Sequence, residues 1–165
     1  MAIVTPVETP PGVRRRLRLG SPVTLEPVGE IEVQGAEDVR AAVARARAAQ
    51  PAWAARSIED RARVVLRALA ILLERQDAFV EVVLRETGKA RSEALLMEIF
   101  AGCDALHYYA KRTARFLRPE RKRLHGVMAL AKKLRIVYRP LGVVGVISPW
   151  NGPFILSLNP TVQAL

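Results

Sequence analysis

The sequence predicts an α/β protein: a helical N-terminal region, a β excursion, and then the first strand of an incomplete parallel sheet. Three observations predict it. Apolar residues recur at helical spacing from Ala36 to Arg118, the period changes to alternation within Val127 to Tyr138, and Val143 to Ile147 is a short β-branched run closed off by Pro140 and Pro149. That last run reads as a strand covered on both faces, because a parallel strand between two layers of helices has no polar side to show.

The elements follow in order. Residues 1–27 hold five prolines, two glycines and the arginine run Arg14 to Arg18, and are expected to form an irregular or disordered arm. Residues 28–124 are the helical part. Glu37 and Asp38 suit a helix start, where the positive end of the helix dipole favours acids, and Val39, Ala42, Val43 and Ala46 continue at helical spacing to a stop near Pro51. Ser57 followed by Asp60 is a variant capping box that opens a second helix. Val64, Val65, Leu66, Leu69, Ile71, Leu72 and Leu73 make that helix apolar on more than one side. A third helix runs from Asp77 to Glu86, with Gly88 placed as its left-handed C-cap. Ser92 to Arg118 reads as one long helix, with Leu95, Ile99, Gly102, Leu106, Tyr109 and Phe116 facing inward and Pro119 ending it. Residues 125–139 follow as a β segment of strands leading out and back, and 140–165 as the start of the sheet.

At 165 residues and 50% hydrophobic content the chain can form one domain with a real core. No stretch reaches the roughly 18 uncharged apolar residues of a membrane span. Met1 to Pro11 lacks a basic segment followed by an apolar one, so no secretory leader is read and a cytoplasmic setting is expected. The single cysteine, Cys103, cannot close an internal disulfide, in keeping with a reducing compartment. The 26 basic and 16 acidic residues leave a charge of +10, enough to raise nucleic acid as a partner. Few aromatics interleave with the basic clusters Arg14 to Arg18, Lys111 to Arg123 and Lys132 to Arg139, and no RNA-binding or zinc-finger pattern accompanies them. The expectation is a solvated or partner-facing surface, with no nucleic acid and no membrane as partner.

Chemistry concentrates just after the strand. Pro149 has no N–H and pushes Ser148 toward extended backbone, while Gly152 and Pro153 stop a regular element from running through Trp150 and Asn151. The chain bends there between strand and helix. Asn151 is presented at the carboxyl end of a strand, where open α/β sheets place their ligands, and its amide offers two donors and an acceptor. Taken alone, Asn151 suits an Asx turn before Gly152 better than it suits a donor to a developing oxyanion.

The run Pro140-Leu141-Gly142-Val143-Val144-Gly145-Val146-Ile147-Ser148-Pro149-Trp150-Asn151-Gly152-Pro153 resembles the NAD(P)-dependent aldehyde dehydrogenase superfamily. The similarity extends to Glu37-Asp38-Val39 with Ala41-Ala42-Val43, to Trp53, Arg61-Ala62, Leu66 and Leu69-Ala70, and to Glu86-Thr87-Gly88-Lys89 with Glu93-Ala94. It runs in one register from Pro22 to Leu165. The resemblance implies a Rossmann-like cofactor-binding sheet, a β segment at 125–139 that reaches a neighbouring subunit, and hence a homo-oligomer at full length. It implies oxidation of an aldehyde to a carboxylic acid with NAD or NADP as hydride acceptor, and no metal. By the same resemblance the Asn151 amide donates to the oxyanion of a thiohemiacetal, and Ile147, Ser148, Pro149 and Trp150 line the cofactor side. Gly152 departs from the family, which carries a bulky aromatic there. The family's nucleophilic cysteine, general-base glutamate and ribose-contacting lysine are expected beyond Leu165. The chain is accordingly expected to be an N-terminal fragment, inactive alone, since hydride cannot leave before a thiolate has added to the aldehyde.

Other reactive residues have plainer readings. Cys103 does not match the family's nucleophile motif; next to Asp104 its thiolate is disfavoured, and it is expected to act as a small buried hydrophobe. His107 and His125 stand alone, without a partner at metal-ligand spacing. Glu86 falls just before a helix cap, and Glu93 is a first-turn acid at a helix start. Gly88-Lys89 lacks the glycine and hydroxyl residue of a phosphate loop, and Gly142 with Gly145 misses the dinucleotide glycine spacing. A reading of a different class is a non-catalytic basic helical protein that holds a partner chain or polyanion through Arg14 to Arg18 and Lys111 to Arg123.

Overall fold

Leu17 and Leu19 alternate with Arg16 and Arg18, and that period of two builds a strand inside the segment 1–27. In the computed structural model, which describes residues 2–8, 10 and 12–165, β1 (Ile3–Val7), β2 (Arg16–Gly20) and β3 (Pro27–Glu32) form an antiparallel sheet in the order β1-β2-β3. The irregular arm expected for 1–27 is corrected to two strands and their turns; for Met1, Thr9 and Pro11 that expectation lies outside the described residues. The prolines are compatible with a sheet because Pro6 lies on the edge strand and Pro27 opens β3, the places where a missing N–H costs least. The arginines are compatible because acids face them across the ladder. Arg16 stands opposite Glu32 and Arg18 opposite Glu30. Arg16 and Arg18 lie 3.2 and 3.3 Å from the Glu30 carboxylate, and Arg14 lies 2.9 Å from both Glu32 and Asp38.

The helices start where the sequence places them. α1 (Ala36–Ala54) opens with Asp38 Oδ2 accepting the Gly35 N–H at 2.8 Å. It passes Pro51 by most of a turn, with the Pro51 carbonyl accepting from Ala55 at 3.0 Å, so the stop expected near Pro51 moves on to Ala54. A proline removes one donor and leaves its carbonyl free to accept, which is why the last turn closes. α2 (Ile58–Glu74) is capped by Ser57 Oγ, which accepts the Asp60 N–H at 3.0 Å. Only one side of α2 is covered: Val65 and Leu72 are buried, whereas Val64, Ile71 and Leu73, expected to be buried on another side, are exposed. α3 (Gln76–Thr87) ends at Gly88, whose φ of +71° confirms the left-handed cap. A Cβ at Gly88 would also lie 2.5 Å from Val23 Cγ2, so the turn after β2 packs onto this glycine.

The helix expected over Ser92 to Arg118 is interrupted in its pitch. α4 (Arg91–Glu93) passes into a π-helical segment (Ala94–Phe100) and then α5 (Ala101–Phe116). The wider π turn brings positions four and five apart onto one face, so Ala94, Glu98 and Ile99 are all buried. The core joins Ala94 and Ile99 to Val65, Leu72, Val80, Val83, Leu106 and Val162, with Phe79, Cys103 and Phe154 packed around them. Phe116 is exposed rather than inward, its ring 5.7 Å from that of Tyr108.

The β excursion has a different register from the one expected. β4 (Glu120–Lys122) pairs antiparallel with β5 (Leu134–Ile136), and the short helix α6 (Met128–Ala131) lies between them. Only the return arm falls inside Val127 to Tyr138. Val143–Ile147, expected as a buried strand, forms no ladder among the described residues, and Val144, Val146 and Ile147 are exposed. A strand exists through its partners' hydrogen bonds, and no described segment lies beside this one to supply them. The chain closes with α7 (Ile155–Ala164), packed on α5. No described helix is long and apolar enough to cross a membrane.

Candidate active site

The site is built from the start of α7 backwards. Gly102 in α5 has no side chain, and a Cβ there would lie 2.8 Å from Phe154 Cε1; the Phe154 ring uses that space and meets Phe79 with centroids 5.4 Å apart. The aromatic pair anchors the first residue before α7 in the core. Gly152 is buried, and a Cβ there would lie 2.9 Å from Leu156 Cδ1. Any side chain at this position would require Leu156 to shift. Ser157 Oγ donates to the Pro153 carbonyl at 2.7 Å and lies 2.7 Å from Ser148 Oγ, tying the loop back to the helix that follows it.

Between these anchors the loop turns outward. Trp150 and Asn151 occupy a turn, with Trp150 62% exposed and Asn151 exposed; Ser148 and Pro149 are exposed as well, and Ile147 is 100% exposed. The five residues expected to carry chemistry therefore share one open surface. Their side-chain and backbone groups can meet a ligand without any displacement of the core.

Below the loop lies Glu98, with 0% exposure at the centre of the π-helical segment. Its Oε1 pairs with Lys89 Nζ, and its Oε2 accepts the N–H groups of Phe154 at 3.2 Å and Ile155 at 3.0 Å. A buried carboxylate is tolerable only when paired and hydrogen-bonded, and both conditions hold here. Sequence reasoning passed over Glu98 and set Lys89 aside with the phosphate loop. The available signal was an acid flanked by Met97 and Ile99 inside an otherwise apolar stripe.

Cys103 is not part of this surface. It packs against the core, and burial pushes its thiol up, which disfavours the thiolate. The cause is burial, where Asp104 was expected to be the influence. Glu93 Oε2 accepts the Ala90 N–H at 3.2 Å, the capping role expected of it. His107 and His125 are exposed, and among the described residues no three His, Cys, Asp or Glu side chains gather as a metal site.

Residues 10–165 match the model of the aldehyde dehydrogenase family. The chain belongs to that family. Aldehyde dehydrogenase relatives include a putative NADP-dependent succinate-semialdehyde dehydrogenase from Mycolicibacterium smegmatis, 41% identical over 88% of this chain and 27% of the relative. A 4,4'-diapolycopene aldehyde oxidase from Methylomonas is 36% identical over the same shares. The chain thus spans about 27% of the length of the curated relatives it matches. Among solved structures, an aldehyde dehydrogenase of Mycobacterium tuberculosis complexed with NAD+ superposes with a TM-score of 0.81 at 31% identity, covering 96% of this chain and 32% of that one. An NADP-dependent glyceraldehyde-3-phosphate dehydrogenase from Bacillus halodurans gives 0.81 at 27% identity, covering 96% and 33%. The mixed helix and strand architecture is the aldehyde dehydrogenase one over this span.

Proposed function

We propose that this chain supplies the oxyanion-binding loop of an NAD(P)-dependent enzyme that oxidises an aldehyde to a carboxylic acid. The observation that carries the reading is the exposed Asn151 on a turn anchored from both sides, by Ser148 through Ser157 and by Phe154 in the core. In an addition to an aldehyde, negative charge develops on the carbonyl oxygen, and an amide N–H held in place stabilises it without reorganising. The Asn151 amide is the donor in this reading. Cys103 is not the nucleophile in this reading: it packs against the core away from the loop, and burial pushes its thiol up.

The residues beside Asn151 fit a nicotinamide cofactor in their chemistry. Exposed Ile147 and Trp150 offer apolar faces, and the backbone of 147–149, free of any ladder, offers carbonyls and amides to a ribose. Bound there, NAD or NADP would supply the hydride acceptor. Ile147, Ser148, Pro149 and Trp150 would hold its reactive end on the side of the loop next to Asn151. The relatives named as NADP-dependent succinate-semialdehyde dehydrogenases make a short carboxylated aldehyde the first substrate to try. The division into a part at 28–124, helical apart from β3 and β4, an oligomerisation segment at 125–139 and the sheet start at 140–165, with a cytoplasmic homo-oligomer at full length, belongs to the same reading; the exposed β5 supports the oligomerisation segment. The polyanion-binding alternative loses support at Arg14 to Arg18, where Arg14, Arg16 and Arg18 are already engaged by acids.

The test uses a polypeptide that carries this chain joined to the remaining length its relatives have. Succinate semialdehyde with NADP+ or NAD+ is expected to give reduced cofactor. Asn151→Ala is expected to lower kcat by about 100- to 1,000-fold, the usual consequence of losing one oxyanion donor, with an unchanged melting temperature. An unchanged kcat in the variant would remove Asn151 from the mechanism.

A further inference from the structure

Among the described residues Glu98 is the only charged side chain that is buried, and its partners lie at the two ends of the catalytic question. Phe154 and Ile155 contribute the first amides of α7, donors that no preceding helical turn can satisfy. A carboxylate at that end also meets the positive end of the helix dipole. Upstream of Phe154 the chain has little slack: Pro153 has a fixed φ, Gly152 is buried against Leu156, and Asn151 follows directly. Whatever fixes the Phe154 amide fixes the place of Asn151. On the other side, Lys89 leaves the Gly88 cap and holds the second oxygen of the same carboxylate.

We propose that Glu98, held by Lys89, is the positioning residue for Asn151: it clamps the first two amides of α7 and so keeps the Asn151 donor where the oxyanion forms. The catalytic half of this inference rests on the proposed function, and the clamp itself rests on the geometry alone. The π turn is part of the device. It sets Glu98 on the same face as Ala94 and Ile99, so that an acid inside an apolar stripe faces the helix start it serves.

Two measurements test it. In this chain, the variant Lys89→Met/Glu98→Leu removes both charges together, which avoids leaving either one buried and unpaired. Hydrogen exchange at the amides of Phe154 and Ile155 is expected to quicken at least tenfold in the variant, with Leu69 and Leu106 keeping wild-type protection. Unchanged protection at Phe154 and Ile155 would overturn the clamp. In the polypeptide with the remaining length of its relatives, the same variant is expected to lower kcat at least tenfold with the KM for cofactor unchanged, and to add no further loss when Asn151→Ala is already present. Lys89→Met/Glu98→Gln, which keeps an acceptor oxygen for the two amides, is expected to recover part of the lost kcat. A loss that adds in full to that of Asn151→Ala would show Glu98 to be merely structural and would overturn the positioning role. If the wild type oxidises no aldehyde, the proposed function falls and the positioning role with it, while the exchange measurement still decides the clamp.

Discussion

The π-helical segment and the loop of residues 140–153 share one joint at Phe154 and obey opposite rules. Glu98, a charged side chain, has 0% exposure, while Ile147, a large aliphatic one, has 100%. Each sits where its chemistry is least at home. The acid is stabilised inside because every feature around it was built for a carboxylate: an ammonium on one oxygen and two helix-start amides on the other. The aliphatic side chain is outside because nothing in the described chain covers it. Burial in this molecule marks what the described chain stabilises by itself, and exposure along the loop marks what it leaves uncovered.

The contrast can be broken from either side. The largest effect is expected in the helical body: Leu106→Ala, at 2% exposure in the core, should lower unfolding free energy by about 2–5 kcal/mol, read from urea denaturation. A loss as small as that of a surface substitution would show that α5 is not the centre of the core. Next comes Gly88→Ala, which forces a side chain into a left-handed backbone and against Val23; about 1–3 kcal/mol is the expected loss, and a stable variant would mean the cap and the turn above it can part. Ser57→Ala removes the cap of α2 and should cost about 1 kcal/mol, with the transition midpoint shifting and its slope unchanged. The smallest effect belongs to the loop: Ile147→Ala should change stability by less than about 0.5 kcal/mol. A larger loss there would mean that the loop is held by packing, and the comparison would collapse.

The helical body was largely legible in the sequence because its signals are local. A serine cap, a glycine C-cap and apolar spacing act within a turn or two, and Ser57, Gly88 and the inward face of α5 came out as expected apart from Phe116 at its end. The sheet at 3–32 was hidden because prolines and arginines look like an arm until their cross-strand partners are known; Arg16 and Glu32 are paired only by the fold. The strand over Val143–Ile147 was legible as a pattern and did not form, since pattern proposes a strand and neighbours make it. For the proposed site, the motif put Asn151 and its neighbours forward, and they lie exposed on one loop. Glu98 and Lys89 did not, because a buried ion pair depends on residues distant in sequence, here the amides of Phe154 and Ile155.

Gly88 sets an order of assembly. The contacts of α3, α4 and α5 with the π-helical segment join neighbours in sequence and can form early, as local contacts do. The turn after β2 meets the helical body over a glycine whose left-handed turn exists only once α3 has ended there. Docking of the sheet must therefore wait for that helix to finish, and a slow step in refolding should be sought at Val23 rather than in the core.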